Sequence, residues 1–314
     1  MKLGLKQRIL ILVFFTMFFS IKQASARTNE KENLAIPSLP IGLTNMGYAT
    51  VNKKIYIAGG YTAYFSTSDQ LYIYDQKSNQ WSLGAEMPTS RYDLVLVHAG
   101  NNIYAIGGHE YKGTRFAENE MYNIKENKWY TKKPMPIALE EMEAAAVGEK
   151  IYIIGGTHDK GYSDRIYSYN TITDQWTDEG KAPFISEAMG ITVLEDKIHI
   201  IGGGKTLNEH WVFDPEKKMW EQKNALPTAR SHFVAFTYNN HIYTLGGTIG
   251  RGLFVKPLKT IEVYDPKTDQ WESHSGLSIP RSRFAYGVID QNVYLIGGWT
   301  DVTFDDRAEI LSLN

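Results

Sequence analysis

The sequence predicts an all-β fold, a six-bladed β-propeller of four-stranded blades, and two observations carry that reading. Six apolar runs each end on a glycine pair: IYIAGG (55–60), IYAIGG (103–108), IYIIGG (151–156), IHIIGG (198–203), IYTLGG (242–247) and VYLIGG (293–298). The pairs recur every 44–51 residues, a period that belongs to arrays and propellers. A second landmark follows the first five pairs, an aromatic residue and then Trp81, Trp129, Trp176, Trp220 or Trp271 seven positions on. From each Trp to the next glycine pair is 26 residues, so the frame is constant and only the loop after the glycines varies.

Within a unit the elements follow in order. In residues 140–176, EMEAAAV is a first strand, GEK a turn, KIYIIGG the second strand and DRIYSYN the third. A tight turn, NTITDQ, leads to a fourth strand that opens on Trp176. Paired glycines permit positive φ and close backbone approach near an axis, while Trp and the third-strand aromatic are expected to fill the wider space between sheets. After Gly298 the chain offers only AEILSLN, one strand short. Counting 26 back from Gly59 reaches Asn33, so residues 33–37 are expected to supply the missing outer strand and close the ring.

Residues 1–26 read as a signal peptide: Lys2, Lys6 and Arg8, then the apolar ILILVFFTMFFSI (9–21), then Ala24-Ser25-Ala26. That apolar core is too short to span a bilayer. Residues 27–32 form a short flexible segment and residues 33–314 the propeller. The expectation is an exported protein, periplasmic or extracellular, with no integral membrane segment in the mature chain. The formal charge of −2 gives no basic excess for nucleic acid. The absence of cysteine excludes disulfides, thiol nucleophiles and thiolate metal sites. No cofactor and no metal are expected, and the chain is expected to be monomeric. His109/Glu110, His158/Asp159 and Glu209/His210 have no repeated ligand spacing, and Asp301, Asp305 and Asp306 read as a solvated acidic loop.

Glycine pair, Tyr-Asp and Trp at seven together resemble the kelch repeat over residues 33–314. The resemblance implies propeller blades with their variable loops at one end: 61–69, 109–118, 157–164, 204–209, 248–260 and 299–307. The inter-blade loops reach the same end. They bring Thr44, Asn45, Arg91, Tyr92, Asp93, Glu140, Glu141, Ser186, Glu187, Arg230, Ser231, His232, Arg281, Ser282 and Arg283 to a central mouth. Tyr61, His109, Thr157, Thr248 and Trp299 follow the glycines there. This mouth is expected to be lopsided, with Glu140, Glu141 and Glu187 facing Arg230, His232, Arg281 and Arg283.

The ligand-binding set expected from this layout is Tyr61, Tyr92, His109, Glu140, Glu187, Ser231, His232, Ser282, Arg283 and Trp299. In kelch domains that bind acidic peptides, an Arg with a Ser before it lines the pocket, which the resemblance transfers to Arg283, Ser282 and Ser231. The kelch pattern itself carries Arg at positions 91, 230 and 281, where it braces loops. The functional expectation is a binding module for a protein, peptide or glycan. The alternative is a sugar isomerase, since the chain also resembles bacterial N-acetylneuraminate epimerases (mutarotases). In that case Glu187 or Glu140 would be the acid–base and Arg283 would hold the sugar carboxylate. Against this, GGGKTLNE lacks an acid immediately after the glycines.

Overall fold

The structure, a computed structural model, describes residues 36–205, 207–250, 255–300 and 303–313. The expected signal segment, residues 27–32, residues 33–35 of the closing strand and Asp301 lie outside these.

Five four-stranded antiparallel sheets and a sixth with three described strands form the blades. Blade 1 is Gly47–Val51, Lys54–Ala58, Leu71–Asp75 and Gln80–Leu83; blade 2 is Val95–Ala99, Asn102–Ile106, Asn119–Asn123 and Lys128–Lys132. Blade 3 is Glu143–Val147, Lys150–Ile154, Arg165–Asn170 and Gln175–Lys181; blade 4 is Gly190–Leu194, Lys197–Gly203, Leu207–Asp214 and Met219–Lys223. Blade 5 is Val234–Tyr238, His241–Leu245, Ile261–Asp265 and Gln270–His274, and blade 6 is Ala285–Ile289, Asn292–Ile296 and Ala308–Ser312. No helix occurs among the described residues.

Local chemistry sets these boundaries. Asn52-Lys53, Glu195-Asp196 and Asn239-Asn240 take two successive positive φ values, the geometry of a two-residue hairpin that matches strand twist. Second strands lie between two others and are almost wholly buried, which explains their unbroken apolar runs.

Glycine pairs lock blade to blade. The second glycine of each donates to a carbonyl of the following inter-blade loop: Gly60 to Arg91, Gly108 to Leu139, Gly156 to Ser186, Gly203 to Arg230, Gly247 to Arg281 and Gly298 to Leu43, all at 2.8–3.0 Å. A Cβ on the first glycine would strike that same carbonyl, at 2.4 Å for Gly59.

The tryptophans depart from expectation. Trp81, Trp176, Trp220 and Trp271 are only half-buried. Trp129, Trp176 and Trp271 act as clamps, with Nε1 donating to Ala85 O, Lys133 O and Asn224 O on the preceding blade at 2.8, 2.7 and 2.9 Å; no such bond occurs for Trp220 among the described residues. The third-strand tyrosines are the core residues, and their hydroxyls hold the outer turn, Tyr169 to Asp174 and Tyr264 to Asp269 at 2.8 Å.

Residues 36–39 continue from the expected closing strand. Ile36 and Leu39 pack with Ile55, Tyr74 and Tyr294, and Leu39 N donates to Asp306 O at 2.8 Å. Trp81 Nε1 donates to Pro37 O, the same clamp that blades 2, 3 and 5 make. Residues 36–39 therefore lie between blades 6 and 1.

Candidate functional site

Each inter-blade loop turns onto its first strand through one residue in the left-handed region: Asn45, Asp93, Glu141, Ala188, His232 and Arg283, with φ of 51–55°. Asn and Asp tolerate this; Glu, Ala, His and Arg pay for it in steric strain. A closed circuit of backbone hydrogen bonds holds them. Asn45 N donates to Arg283 O, Asp93 to Asn45, Glu141 to Asp93, Ala188 to Glu141, His232 to Ala188 and Arg283 to His232, at 2.9–3.2 Å. Six loops thus form a ring about the axis, and its side chains form the throat of the mouth.

Just outside the throat, short antiparallel bridges join the preceding residue of each loop to the residue after the glycines. They pair Thr44 with Tyr61, Tyr92 with His109, Glu140 with Thr157, Ser231 with Thr248 and Ser282 with Trp299. Glu187 O accepts from Gly204 N in blade 4. The expected site residues therefore gather at one end.

Three arginines brace loops, as the kelch pattern implies, and so add no charge to the mouth. Arg91, Arg230 and Arg281 are buried within their blades, bonded to Glu120 at 2.8 Å, to Glu262 at 2.6 Å, and beside Asp305 and Glu309 at 3.6 and 3.7 Å. The lopsided charge expected from them is absent, because a guanidinium that side by side with backbone carbonyls finds a buried carboxylate stays inside. Ser282 is fully buried as well. Asp305, read as part of a solvated loop, is buried and accepts from Arg307 Nε at 2.7 Å.

On blades 2 and 3 a polar chain runs along the rim. His109 Nε2 lies 3.2 Å from Asp93 Oδ2 and its Nδ1 lies 2.9 Å from Glu140 Oε2. Arg115 grips the other oxygen of Glu140 at 2.6 Å and reaches Asp159 at 2.9 Å. Asn45 Nδ2 donates to Asp93 Oδ1. Burial opposes a charge on His109, but its hydrogen bonds to Asp93 and Glu140 prevail and raise it to about 9. Burial likewise opposes ionisation of Glu140, yet His109 and Arg115 hold it below the usual carboxylate range. Ligand atoms of Asp93, His109 and Glu140 come within 4.8 Å of one another, a spacing a metal ion could bridge. The imidazolium and Arg115 already supply positive charge there, so the residues fit an internal ion network better than a metal centre.

Across the throat, His232 Nε2 lies 3.1 Å from Glu141 Oε1, and His232 Nδ1 lies 2.9 Å from Ser231 Oγ. Burial resists the charge on Glu141, but His232 and Arg283 hold it below the ordinary range. Among the described residues no carboxylate lies within salt-bridge distance of Arg283. Its guanidinium borders two spaces: the central channel, about 500 Å³, and a rim pocket of about 320 Å³ walled by Tyr61, Trp299 and Phe304. Beside that pocket Tyr61 stacks on Tyr111 with centroids 5.8 Å apart, and Tyr111 and Phe65 are 62% and 66% exposed.

Sequence reasoning missed Arg115, Tyr111, Phe65 and Phe304, all on variable loops whose path the repeat does not specify. It also missed Glu143 inside the channel, although a comparison across repeats would have found it. The position two after each throat residue reads Gly47, Val95, Glu143, Gly190, Val234 and Ala285.

Six antiparallel blades arranged in a ring define a β-propeller. The chain belongs to the kelch-repeat family: the KLHDC2/KLHL20/DRC7 Kelch-repeats domain matches residues 45–247, and a Kelch motif matches residues 229–273. It is similar to human Kelch-like protein 34, 34% identical over 107 residues, and to Limulus polyphemus Beta-scruin, 28% identical over 108 residues. Those stretches cover 32% and 34% of this chain but only 15% and 12% of the relatives. The solved structure of YjhT superposes with a TM-score of 0.78 at 17% identity, covering 88% of this chain and 97% of that one, which shows the shared fold.

Proposed function

We propose that this propeller is a non-catalytic recognition module that takes an anionic segment of a protein or peptide into its central mouth, and that it works outside the cytoplasm. Arg283 carries the reading. Half-buried Arg283 makes no salt bridge to a described carboxylate, although Glu141 feels its charge at longer range, and beside Tyr61, Trp299 and Phe304 it offers paired donors to a carboxylate. Exposed Tyr111 and Phe65 extend that pocket into an aromatic face of the kind that anchors interfaces. Kelch membership supports protein binding, and the charged, apolar and small-residue order of residues 1–26 supports export.

A peptide and glycan array on the mature protein tests the ligand. Acidic peptides are expected to bind wild type and to lose at least about tenfold in affinity in Arg283→Ala. Binding confined to glycans, or indifferent to Arg283, overturns the reading. Amino-terminal sequencing of the exported protein tests residues 1–26.

The sugar-isomerase alternative needs a carboxyl group that gives and regains a proton near neutral pH. Glu140, tied to His109 and Arg115 and held ionised, suits that role poorly, which leaves Glu187. Anomer exchange of N-acetylneuraminate followed by NMR, in wild type and Glu187→Gln, tests it; no exchange by wild type removes it.

A further inference from the structure

Below the throat the channel holds one acid that the propeller frame does not need. Glu143 opens the first strand of blade 3, where the other five blades have glycine, valine or alanine, so no feature of blade architecture calls for a carboxyl group. It lines the 500 Å³ channel with Tyr48, Tyr286, Thr50, Thr192 and Thr237. Glu141 and Asp93 stand nearest it on the throat side and Tyr48 and Tyr286 on blades 1 and 6; His98, His232 and Arg283 complete the titratable or cationic lining.

The neighbouring acids each have a histidine within hydrogen-bond distance. Asp93 has His109 and Glu141 has His232. No described residue forms an ion pair or hydrogen bond with the Glu143 carboxyl. A half-buried carboxyl group that lines a channel and meets no side chain is one a ligand can meet, and such groups concentrate at binding sites.

We propose that the channel beneath the throat is a binding subsite for a primary ammonium group on a slender alkyl stem, received by Glu143 with the Tyr48 and Tyr286 rings beside it. The throat above it is polar except at Ala188, the smallest of its six side chains. Tyrosine faces add cation–π attraction to the ion pair. A lysine side chain of a partner protein and a free alkylamine share this chemistry.

Burial, and then the charges of Glu141 and Asp93, keep the empty site's Glu143 protonated well above the usual carboxylate range. Ammonium binding ionises it, and the proton passes to solvent. Affinity therefore rises with pH until the amine itself begins to lose its proton.

Calorimetric titration of the mature protein with n-butylammonium at about pH 7.5, in buffers of different ionisation heat, tests this. Saturable binding with net proton release is expected, weakened more than about tenfold in Glu143→Gln and absent with 1-butanol. Nα-acetyl-lysine N-methylamide distinguishes the sources: tighter binding than butylammonium marks a lysine side chain, weaker binding a free amine. No saturable binding of either amine, affinity unaltered in Glu143→Gln, or no proton release overturns the proposal. Proton release is read on wild type alone, so a variant that misfolds leaves the test intact. Butylammonium carries no carboxylate, so this outcome is independent of the anion reading at Arg283.

Discussion

Arg230 and Glu262 meet at 2.6 Å with both side chains sealed from solvent, and the pair substitutes for an apolar contact used elsewhere in the same molecule. Glu262 sits opposite Thr244, two residues before its glycine pair; Glu120 and Glu309 hold the same register in blades 2 and 6. Those three blades carry Arg91, Arg230 and Arg281 at the loop position. Blades 1, 3 and 4 carry Leu43, Leu139 and Ser186 there, facing Tyr72, Tyr167 and Trp211. Two solutions to one packing problem are used, the ion pair in blades 2, 5 and 6 and an uncharged contact in blades 1, 3 and 4. Removing one member leaves a buried charge unmet, so Arg230→Leu is expected to cost about 3–5 kcal/mol. Adding Glu262→Tyr, which completes the apolar solution, is expected to recover most of that loss. Denaturant unfolding of the two variants checks it; equal stability of both would show that the pairing does not govern this site.

The first glycine of each pair makes a sharper prediction. Gly155 has φ of 70°, and a Cβ there would lie 2.5 Å from Ser186 O, the carbonyl that Gly156 N needs at 2.9 Å. Gly155→Ala therefore strains the backbone and pries blade 3 from blade 4, with an expected loss above about 3 kcal/mol. Gly148→Ala is the control. It too has positive φ, 59°, but its Cβ meets nothing within 4 Å, so only the backbone cost, about 1 kcal/mol, is expected.

Why the frame could be read and the mouth could not follows from these residues. The glycine pairs, tyrosines and tryptophans act through backbone geometry and blade-to-blade clamps repeated around the ring, so spacing alone exposes them. For Arg230 and Arg281 the kelch pattern implied bracing, but spacing alone could not name Glu262 or Asp305 as the carboxylates they turn toward. Arg115 belongs to a loop with no counterpart in other repeats, and its grip on Glu140 and Asp159 depends on a path that no period encodes. The backbone circuit from Asn45 to Arg283 was hidden for a different reason: its six members share a conformation and not a residue type.

His109, bridging Asp93 and Glu140, ties stability to alkaline pH. Its folded value of about 9 lies above the unfolded one of about 6.5. The stabilisation is fully present below about pH 6.5 and disappears as pH rises through about 9. Melting temperatures of wild type are expected to fall across that window, and those of His109→Gln to stay flatter while starting lower. Parallel curves would mean that the bridge adds no pH-linked stability.

Glu143 works in the same direction, beginning at lower pH. Its folded value is raised, chiefly by burial and then by Glu141 and Asp93, so the folded state holds a proton that the unfolded chain releases above about pH 4.3. Without bound cation, stability is undiminished below that value and declines as pH rises toward the folded one. Glu143→Gln, which cannot ionise, is expected to match wild type near pH 4 and to exceed it near pH 8. Urea midpoints at both pH values decide; a variant that is no more stable at the higher pH contradicts the burial of this carboxyl group.

His199 and His210 bring acid sensitivity to blade 4. Nδ1 of His199 and Nε2 of His210 lie 2.9 Å apart inside the sheet, an arrangement that needs one neutral ring to donate and the other to accept. Burial, with nearby Lys223 and Lys197, lowers His199 to about 4, and burial together with His199 lowers His210 as well. Because both folded values lie below the unfolded 6.5 or so, this stabilisation is whole above about pH 6.5 and is lost as pH falls through about 4. Blade 4 is singular here: the other five blades place Tyr56, Tyr104, Tyr152, Tyr243 and Tyr294 at the His199 position, and blades 3 and 5 place Ile166 and Ile261 at that of His210. The double variant His199→Tyr/His210→Ile restores the pattern of the neighbouring repeats. It is expected to retain more of its neutral-pH melting temperature at about pH 4.5 than wild type does. Calorimetry at the two pH values measures the difference, and an equal drop in both proteins would place the acid-labile contact outside blade 4.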